Sequence, residues 1–259
     1  MPYPAFVTRT LLLPALIAAA VALPAQAQAP RQPAPPKAYK PIPVTLAKPY
    51  DDPSFVAFRK ELGDIASKKD RAALAKITDN AFFWMSEKGD KADKKKSGID
   101  NLAAAIELDD KEGAGWEALK VAAAEPTLEP VQERKGLLCS PANPTFDEAA
   151  ADALAKETGT DPSEWGYVTK ADAEVRGAAK ADATVVEKLG LHLVRILPED
   201  QPAPAAGAPP QEAPFLHVVT PSGKDGYVQE ELISPLGTDQ LCYTKDGGAW
   251  KIAGYAGND

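Results

Sequence analysis

The chain is poor in the residues from which hydrolytic and metal-dependent active sites are built. Its 259 residues include only two histidines and two cysteines. The motifs Gly-x-Ser-x-Gly and His-Glu-x-x-His are absent, and so is a phosphate-cradling loop. Glycoside hydrolysis needs only two carboxylates, so that single class of reaction stays open. We therefore expect a protein that is not an enzyme and that uses no cofactor.

The two histidines do not suggest a metal site. His192 and His217 each stand between apolar residues in an alternating pattern. In a strand, such alternation turns the histidine away from its apolar neighbours and towards solvent. Two histidines on adjacent strands could share a metal with a carboxylate, but exposed polar side chains are the simpler interpretation. We expect no metal.

Long apolar runs are missing beyond the start of the chain. Residues 1–29 have the three parts of a signal peptide: Arg9, the apolar residues 10–23, and a small-x-small cleavage site at 25–27 or 27–29. The apolar run is shorter than the roughly 20 residues with which a helix crosses a bilayer. The sequence therefore predicts a cleaved signal peptide over residues 1–29 and a mature chain in the periplasm or outside the cell.

Positive charge is also in short supply. The chain has 29 lysines and arginines against 37 acidic residues, a formal net charge of −8. The one basic run, residues 94–96, has acidic neighbours. An acidic protein has no electrostatic reason to bind nucleic acid or anionic lipid. We expect that the protein does not bind nucleic acid and that it has no stable membrane span.

The two cysteines allow one intramolecular disulfide. In an exported protein an even number of cysteines favours pairing, which here means Cys139 with Cys242. Closing a loop of this length stabilises a fold by roughly 4–5 kcal/mol in the chain-entropy description. The alternative is a pair of separate buried thiols. Neither cysteine has a histidine or cysteine at the spacing of a metal site.

Proline marks two segments that are not expected to build packed elements. Residues 30–50 and residues 198–214 are both dense in proline and alanine. Proline fixes φ and removes a backbone donor, so such stretches extend rather than pair. The first is predicted to be a linker. The second is predicted to be a disordered loop between two strands.

Residues 51–136 have the spacing of amphipathic helices. Apolar side chains recur there every three or four positions, as in Phe55, Phe58, Leu62 and Ile65. Asp52 before Pro53 is a typical helix start, with a capping side chain and proline at the first helical position. The sequence predicts a mainly helical domain over residues 51–136.

From residue 137 onwards short strands dominate. One helix, ending at Gly159, precedes a series of short apolar runs separated by turn residues. A hairpin with Asp246-Gly247 at its tip closes the chain. Closely spaced short strands favour a small barrel. The predicted fold class is α+β, with a helical N-terminal domain followed by a small β-barrel over residues 137–259, which carries an added C-terminal hairpin.

Residues 168–236 resemble the bacterial SH3 (SH3b) family. The similarity begins at Ala173-Glu-Val-Arg-Gly177, continues through residues 183–190, and is strongest at Ser222-Gly-Lys-Asp-Gly-Tyr-Val228. The family usually has Asn where this chain has Glu174. The resemblance implies an SH3-like barrel that acts as a binding module for cell-wall peptides or protein partners.

The same resemblance suggests where a ligand would bind. In this family aromatic residues line the groove, and Trp165, Tyr167, Arg176 and Tyr227 are the corresponding candidates. Tyrosine and tryptophan combine a large contact area with a polar group, which suits recognition. Tyr243 and Trp250 would lie nearby if the hairpin extended the sheet. For Trp165 and Trp250, a place in the core is the alternative.

The N-terminal half has a looser likeness of its own. Residues 52–125 resemble the helical start of cone-shaped NTF2-like folds, and residues 248–255 are similar to their last strand. Too few strands lie between these two segments to complete a cone.

The sequence as a whole predicts an exported binding or scaffold protein of the cell envelope. The SH3-like module would recognise a peptide, a protein or a peptidoglycan fragment. The alternative is an accessory or inhibitor of an envelope enzyme that acts through its helical half, with a purely structural barrel. The sequence does not indicate the oligomeric state.

Overall fold

The computed structural model describes residues 36–86, 88–131, 134–198 and 214–257. Within these ranges it contains five α-helices and two β-sheets, so the predicted α+β class is confirmed. The predicted signal peptide lies outside the described residues, as do residues 199–213 of the predicted loop. All of the described residues belong to one compact unit.

Short-range signals in the sequence determine where the helices begin and end. The helices are α1 (Pro53–Lys68), α2 (Arg71–Lys76), α3 (Gly98–Ala105), α4 (Ala114–Ala124) and α5 (Glu148–Thr158). Asp52, Asp70, Ser97 and Asp147 cap the first, second, third and fifth of these through their side chains. Each cap accepts a hydrogen bond from an amide that has no partner within the helix.

The first sheet has six strands, which come from both ends of the chain. They are β1 (Thr78–Ser86), β2 (Gly89–Asp90), β3 (Glu129–Pro130), β4 (Leu137–Ser140), β12 (Gln240–Asp246) and β13 (Ala249–Ala256). Their order is β2-β1-β13-β12-β4-β3, and β1 and β13 run parallel. The helices α1 to α4 pack on one face of this sheet around an aromatic core that includes Phe55, Tyr243 and Trp250.

The second sheet lies between β4 and β12 in the chain. Its seven strands are β5 (Trp165–Val168), β6 (Ala173–Arg176), β7 (Val185–Leu189), β8 (Leu193–Ile196), β9 (Phe215–Val219), β10 (Asp225–Gln229) and β11 (Ile233–Pro235). All pairs are antiparallel, in the order β11-β5-β8-β9-β10-β6-β7. Over the described part of the chain the strands do not close into a barrel.

The C-terminal hairpin does not join the second sheet, so its predicted place in the domain of residues 137–259 is wrong. It belongs to the first sheet, where β13 pairs with β1 and β12 pairs with β4. Trp250 and Ile252 are buried against the helices. Two of the six strands of the first sheet are therefore supplied by residues that follow the second sheet. Alternation identifies a hairpin, but its distant partners depend on tertiary packing.

The predicted linker is packed where the structure describes it. We call residues 36–50 the strap. Its Tyr39, Ile42 and Val44 are buried with the second sheet. The Val44 amide donates to the Leu191 carbonyl at 3.1 Å, and the strap also bridges to Thr145 and Thr127. Proline prevents regular pairing, but an extended chain with alternate apolar residues can still bury their side chains.

The predicted disulfide is confirmed. Cys139 on β4 and Cys242 on β12 are directly paired neighbours and are joined by a disulfide bond. In the sequence, β4 precedes the strands of the second sheet and β12 follows them. The disulfide therefore joins the two ends of the chain segment that forms the second sheet. Across the described ranges, each helix is too short or too polar to traverse a bilayer.

Candidate functional site

The structure separates the four predicted binding residues into two pairs. Trp165 and Tyr167 lie on β5 and are buried, with 3% and 9% of their surfaces exposed. The Trp165 indole donates to the Thr160 hydroxyl at 2.8 Å, and the ring of Tyr39 meets it edge-on at 5.2 Å. These contacts place Trp165 and Tyr167 in the core beneath the strap, where they offer a partner little surface.

Tyr227 and Arg176, by contrast, are neighbours on the outer face of the second sheet. Tyr227 stands opposite Arg176 on β6 and opposite His217 on β9. The Tyr227 and His217 rings stack, with centroids 4.7 Å apart and planes 11° from parallel. The intervening Val218 and Val228 are buried, so strand alternation turns the three side chains to the other face. We call His217, Tyr227 and Arg176 the Tyr227 surface.

Charged groups of both signs surround the Tyr227 surface. Arg176 donates to Glu174, whose other oxygen is 3.6 Å from Lys188. His217 Nε2 is 3.2 Å from an Asp225 carboxylate oxygen. The side chains of Lys188 and Asp225 are more than half exposed, at 58% and 61%. A stacked aromatic pair with donors and acceptors on either side can bind a partner through contact area and hydrogen bonds together.

Tyr243 and Trp250 do not extend this surface. Both belong to the first sheet, at 0% and 6% exposure, and pack against Phe55. The core interpretation of Trp250 is therefore confirmed. The hairpin that carries them pairs with β1 and β4 and makes no pairing with the second sheet.

Sequence reasoning missed a second site, a cavity of about 570 Å³ between α4 and the first sheet. We call it the α4 cavity. Its floor is a row of side chains from Ser140, Leu241 and Tyr255, which are paired across β4, β12 and β13. Its helical wall includes three small side chains, Ala114, Ala118 and Ala122.

The sequence carried one faint signal of this cavity. The three alanines recur every four residues and so form a single stripe on α4, where larger side chains would fill the space. The floor of the cavity could not be foreseen, because Ser140 and Tyr255 are brought together only by the pairing of β4, β12 and β13.

Two hydroxyl groups of the α4 cavity, those of Tyr255 and Ser140, differ in whether they make a hydrogen bond within the described structure. The Tyr255 hydroxyl donates to Asp239, and burial together with that carboxylate raises the pKa of Tyr255 above its usual value. Ser140 is 2% exposed, and its hydroxyl has no hydrogen-bond partner among the described residues. A buried hydroxyl without a partner costs free energy, so this one calls for an explanation.

Neither a search for metal-binding clusters among the described residues nor a comparison with known proteins identifies a further site. Within the described ranges, no three histidine, cysteine or carboxylate side chains lie close enough to hold a metal ion. Comparison with protein-family models, with curated proteins and with solved structures finds no match to this chain.

Proposed function

We propose that the chain is an exported, non-enzymatic binding or scaffold protein of the cell envelope. In this proposal residues 168–236 are an SH3-like module that recognises a peptide, a protein or a peptidoglycan fragment. The single observation that carries it is the Tyr227 surface. There a half-buried aromatic side chain lies on a sheet whose other face is a packed core.

The order of elements supports the SH3-like part of the proposal. The hairpin of β6 and β7 is followed by the three strands β8, β9 and β10. A 3₁₀ turn at Glu230–Leu232 then leads into β11. The residues of the strongest sequence similarity form the turn before β10 and β10 itself, so the motif and Tyr227 share one strand.

The disulfide supports the exported part of the proposal. Disulfides persist in oxidising compartments such as the periplasm and are rare in the reducing cytosol. The bond between Cys139 and Cys242 therefore fits the chain's signal-peptide pattern and a site of action in the periplasm or beyond.

Recognition at this surface can be tested without knowing the ligand. A photo-crosslinking amino acid placed at position 227 of the full chain in living cells is expected to give a discrete adduct. The matched control carries the same group at Tyr50, which is also partly exposed but lies against the first core. An adduct at 227 and not at 50 supports the proposal, and its mass distinguishes a protein from a muropeptide.

A substitution then tests the role of the ring itself. Tyr227→Ala is expected to weaken binding of the captured partner about tenfold or more, because aromatic anchors often contribute over 1 kcal/mol to an interface. Tyr227→Phe keeps the stacking and is expected to retain most of the affinity. Equal adducts at 50 and 227, or unchanged binding by Tyr227→Ala, would refute the site. The full chain is required, since β12 and β13 belong to the first sheet.

A further inference from the structure

The α4 cavity has the dimensions of a small-molecule site. Its volume of about 570 Å³ lies within the roughly 300–1,000 Å³ typical of ligand pockets. Alanine, isoleucine, leucine and valine side chains supply most of its walls. One of them, Val121, is 70% exposed at its edge. A cavity so lined favours a ligand with an apolar body, because transfer of such a body out of water is favourable.

The charged residues of the cavity all have one sign. Glu107, Glu125 and Asp239 line it, and no lysine, arginine or histidine does so in the described part of the chain. Thr127 donates twice to one oxygen of Glu125, which fixes that carboxylate in place. Three carboxylates among the lining residues favour a positively charged group over a negatively charged one at this site.

Ser140 provides an independent indication of a ligand. Its residue pair with Leu241 places its side chain on the face of the sheet that forms the cavity floor. Its hydroxyl is buried without a partner among the described residues. Because Ser140 is one of the residues that line the cavity, a ligand atom at the floor could supply the missing hydrogen bond.

We propose that the α4 cavity binds a small amphiphile that has an apolar body and a positively charged amine group. The apolar body lies against the alanine stripe of α4 and Leu241. The ammonium group lies among Glu107, Glu125 and Asp239. This site is separate from the Tyr227 surface, so either proposal can fail while the other stands.

A displacement experiment on the mature chain tests the ligand class. The fluorescent probe N-phenyl-1-naphthylamine, which is apolar and neutral, is expected to bind and to brighten. Decylamine, decanol and decanoate then compete for the site at pH 7. They share one chain length and differ in the charge of the head group. Decylamine is expected to displace the probe at a concentration at least about tenfold lower than decanoate, with decanol between them.

Two matched pairs of variants locate the binding. Ala118→Phe fills the cavity from an exposed helix position and is expected to abolish probe binding. Ala124→Phe, on the same helix but outside the cavity, is expected to leave binding unchanged. Glu107→Gln is expected to weaken decylamine about threefold and to leave decanol unchanged, as for a partly screened ion pair. The control is Glu117→Gln, which alters the acid paired with Lys120.

The possible outcomes divide clearly. Selective loss in Ala118→Phe and Glu107→Gln, with thermal unfolding temperatures near that of the parent chain, supports the proposal. It is overturned if the probe does not bind, if Ala124→Phe abolishes binding as Ala118→Phe does, or if decanoate competes as well as decylamine. If Ala118→Phe unfolds the protein, Ala114→Leu provides a smaller filling of the same stripe, and unchanged binding in that folded variant also overturns the proposal.

Discussion

Two buried tyrosines differ in what their hydroxyl groups contact. The Tyr39 hydroxyl donates to the Val219 carbonyl at 2.9 Å. The Tyr243 hydroxyl has no partner among the described residues, although the side chain is fully buried between Phe55 and Phe58. Burial raises the pKa of both phenols. The two residues therefore separate the effect of a satisfied buried hydroxyl from that of an unsatisfied one.

Removal of the hydroxyl should lower stability at Tyr39 but not at Tyr243. Tyr39→Phe loses a buried hydrogen bond and is expected to lower the free energy of unfolding by about 1 kcal/mol. Tyr243→Phe removes a desolvated group and is expected to leave stability unchanged or raise it by about 1 kcal/mol. Urea unfolding followed by far-UV circular dichroism measures both. A similar loss in the two variants would show that the Tyr243 hydroxyl is hydrogen-bonded after all.

Asp52 is the residue through which the start of α1 meets the last hairpin. It accepts hydrogen bonds from the Ser54 amide and hydroxyl at 2.8 and 2.7 Å, and from Lys245 at 2.9 Å. The hydrogen bonds from Ser54, followed by those from Lys245, lower the pKa of Asp52 to about 2. The Ser54 hydroxyl also accepts from the Trp250 indole at 2.9 Å. The cap therefore joins an early element to a late one.

This lowered pKa gives Asp52 a pH-dependent contribution to stability. A carboxyl that is more acidic when folded stabilises the protein above its unfolded pKa, and the effect disappears as pH falls through the folded value. Asp52→Asn should therefore lower the unfolding temperature at pH 6, and the difference from the parent chain should shrink between about pH 4 and pH 2. Asp51→Asn, which removes the neighbouring exposed carboxylate and leaves the cap in place, is the control for loss of one charge. A difference that stays constant with pH would contradict this assignment.

Residue-scale features were predictable where the signal is local. Asp52 caps α1 as expected, because a capping side chain bonds an amide two or three residues away. For Trp165, the sequence alone left open whether the side chain lies in a binding groove or in the core. Its burial depends on Tyr39, which lies in a segment whose prolines predicted a linker.

At the scale of elements, β13 packs unusually closely on β1. A Cβ atom built on Gly254 would lie 2.2 Å from the Phe83 ring, which is itself buried beside the disulfide. The Arg134 guanidinium lies 4.2 Å from the centre of the same ring. Phe83 therefore has little freedom to move, and glycine is the residue that this approach requires.

Enlarging this glycine should weaken the first sheet. Gly254→Ala is expected to lower the free energy of unfolding by about 1–3 kcal/mol, the usual cost of overpacking a core. The matched control is Gly177→Ala at the end of β6, where the nearest side-chain atom would be at an ordinary 3.7 Å. Chemical denaturation of both variants measures the difference. Equal stability of Gly254→Ala and the parent chain would mean that the Phe83 ring can shift aside.

The elements themselves were more predictable than their partners. Strands lie on either side of the predicted loop as expected, and these two strands, β8 and β9, pair with each other. The hairpin of β12 and β13 was also found, since its turn residues are local. The pairing of β13 with β1, which lies far earlier in the chain, was not predicted. The alternation of apolar and polar residues in a strand does not indicate which sheet the strand joins.

The whole molecule is organised by an insertion and a strap. The second sheet interrupts the first between β4 and β12, and the disulfide joins the two strands at that point. The strap runs along both regions. It bridges to His192 in the second and to Thr127 near the first, and Tyr50 packs edge-on against Trp250. The strap therefore contacts both the second sheet and the core of the first, while the disulfide joins two strands of the first sheet.

Removing the strap should uncover the second sheet selectively. Three buried side chains, Tyr39, Ile42 and Val44, would be lost, and their burial stabilises the fold by about 4–8 kcal/mol. The Leu193 amide would also lose its acceptor, the Ile42 carbonyl at 2.9 Å. A chain that begins at residue 51 is therefore expected to exchange the amide hydrogens of β8 and α5 much faster than the parent chain.

Hydrogen exchange followed by mass spectrometry resolves these segments separately. In the variant that begins at residue 51, α3 should keep its protection, because its contacts are with the first core. A variant that begins at residue 36 retains the strap and should match the parent throughout. Unchanged protection of β8 in the shorter chain would show that the strap covers a core that is already stable. Equal loss in α3 and β8 would show that the two sheets unfold as one cooperative unit, with the strap as part of it.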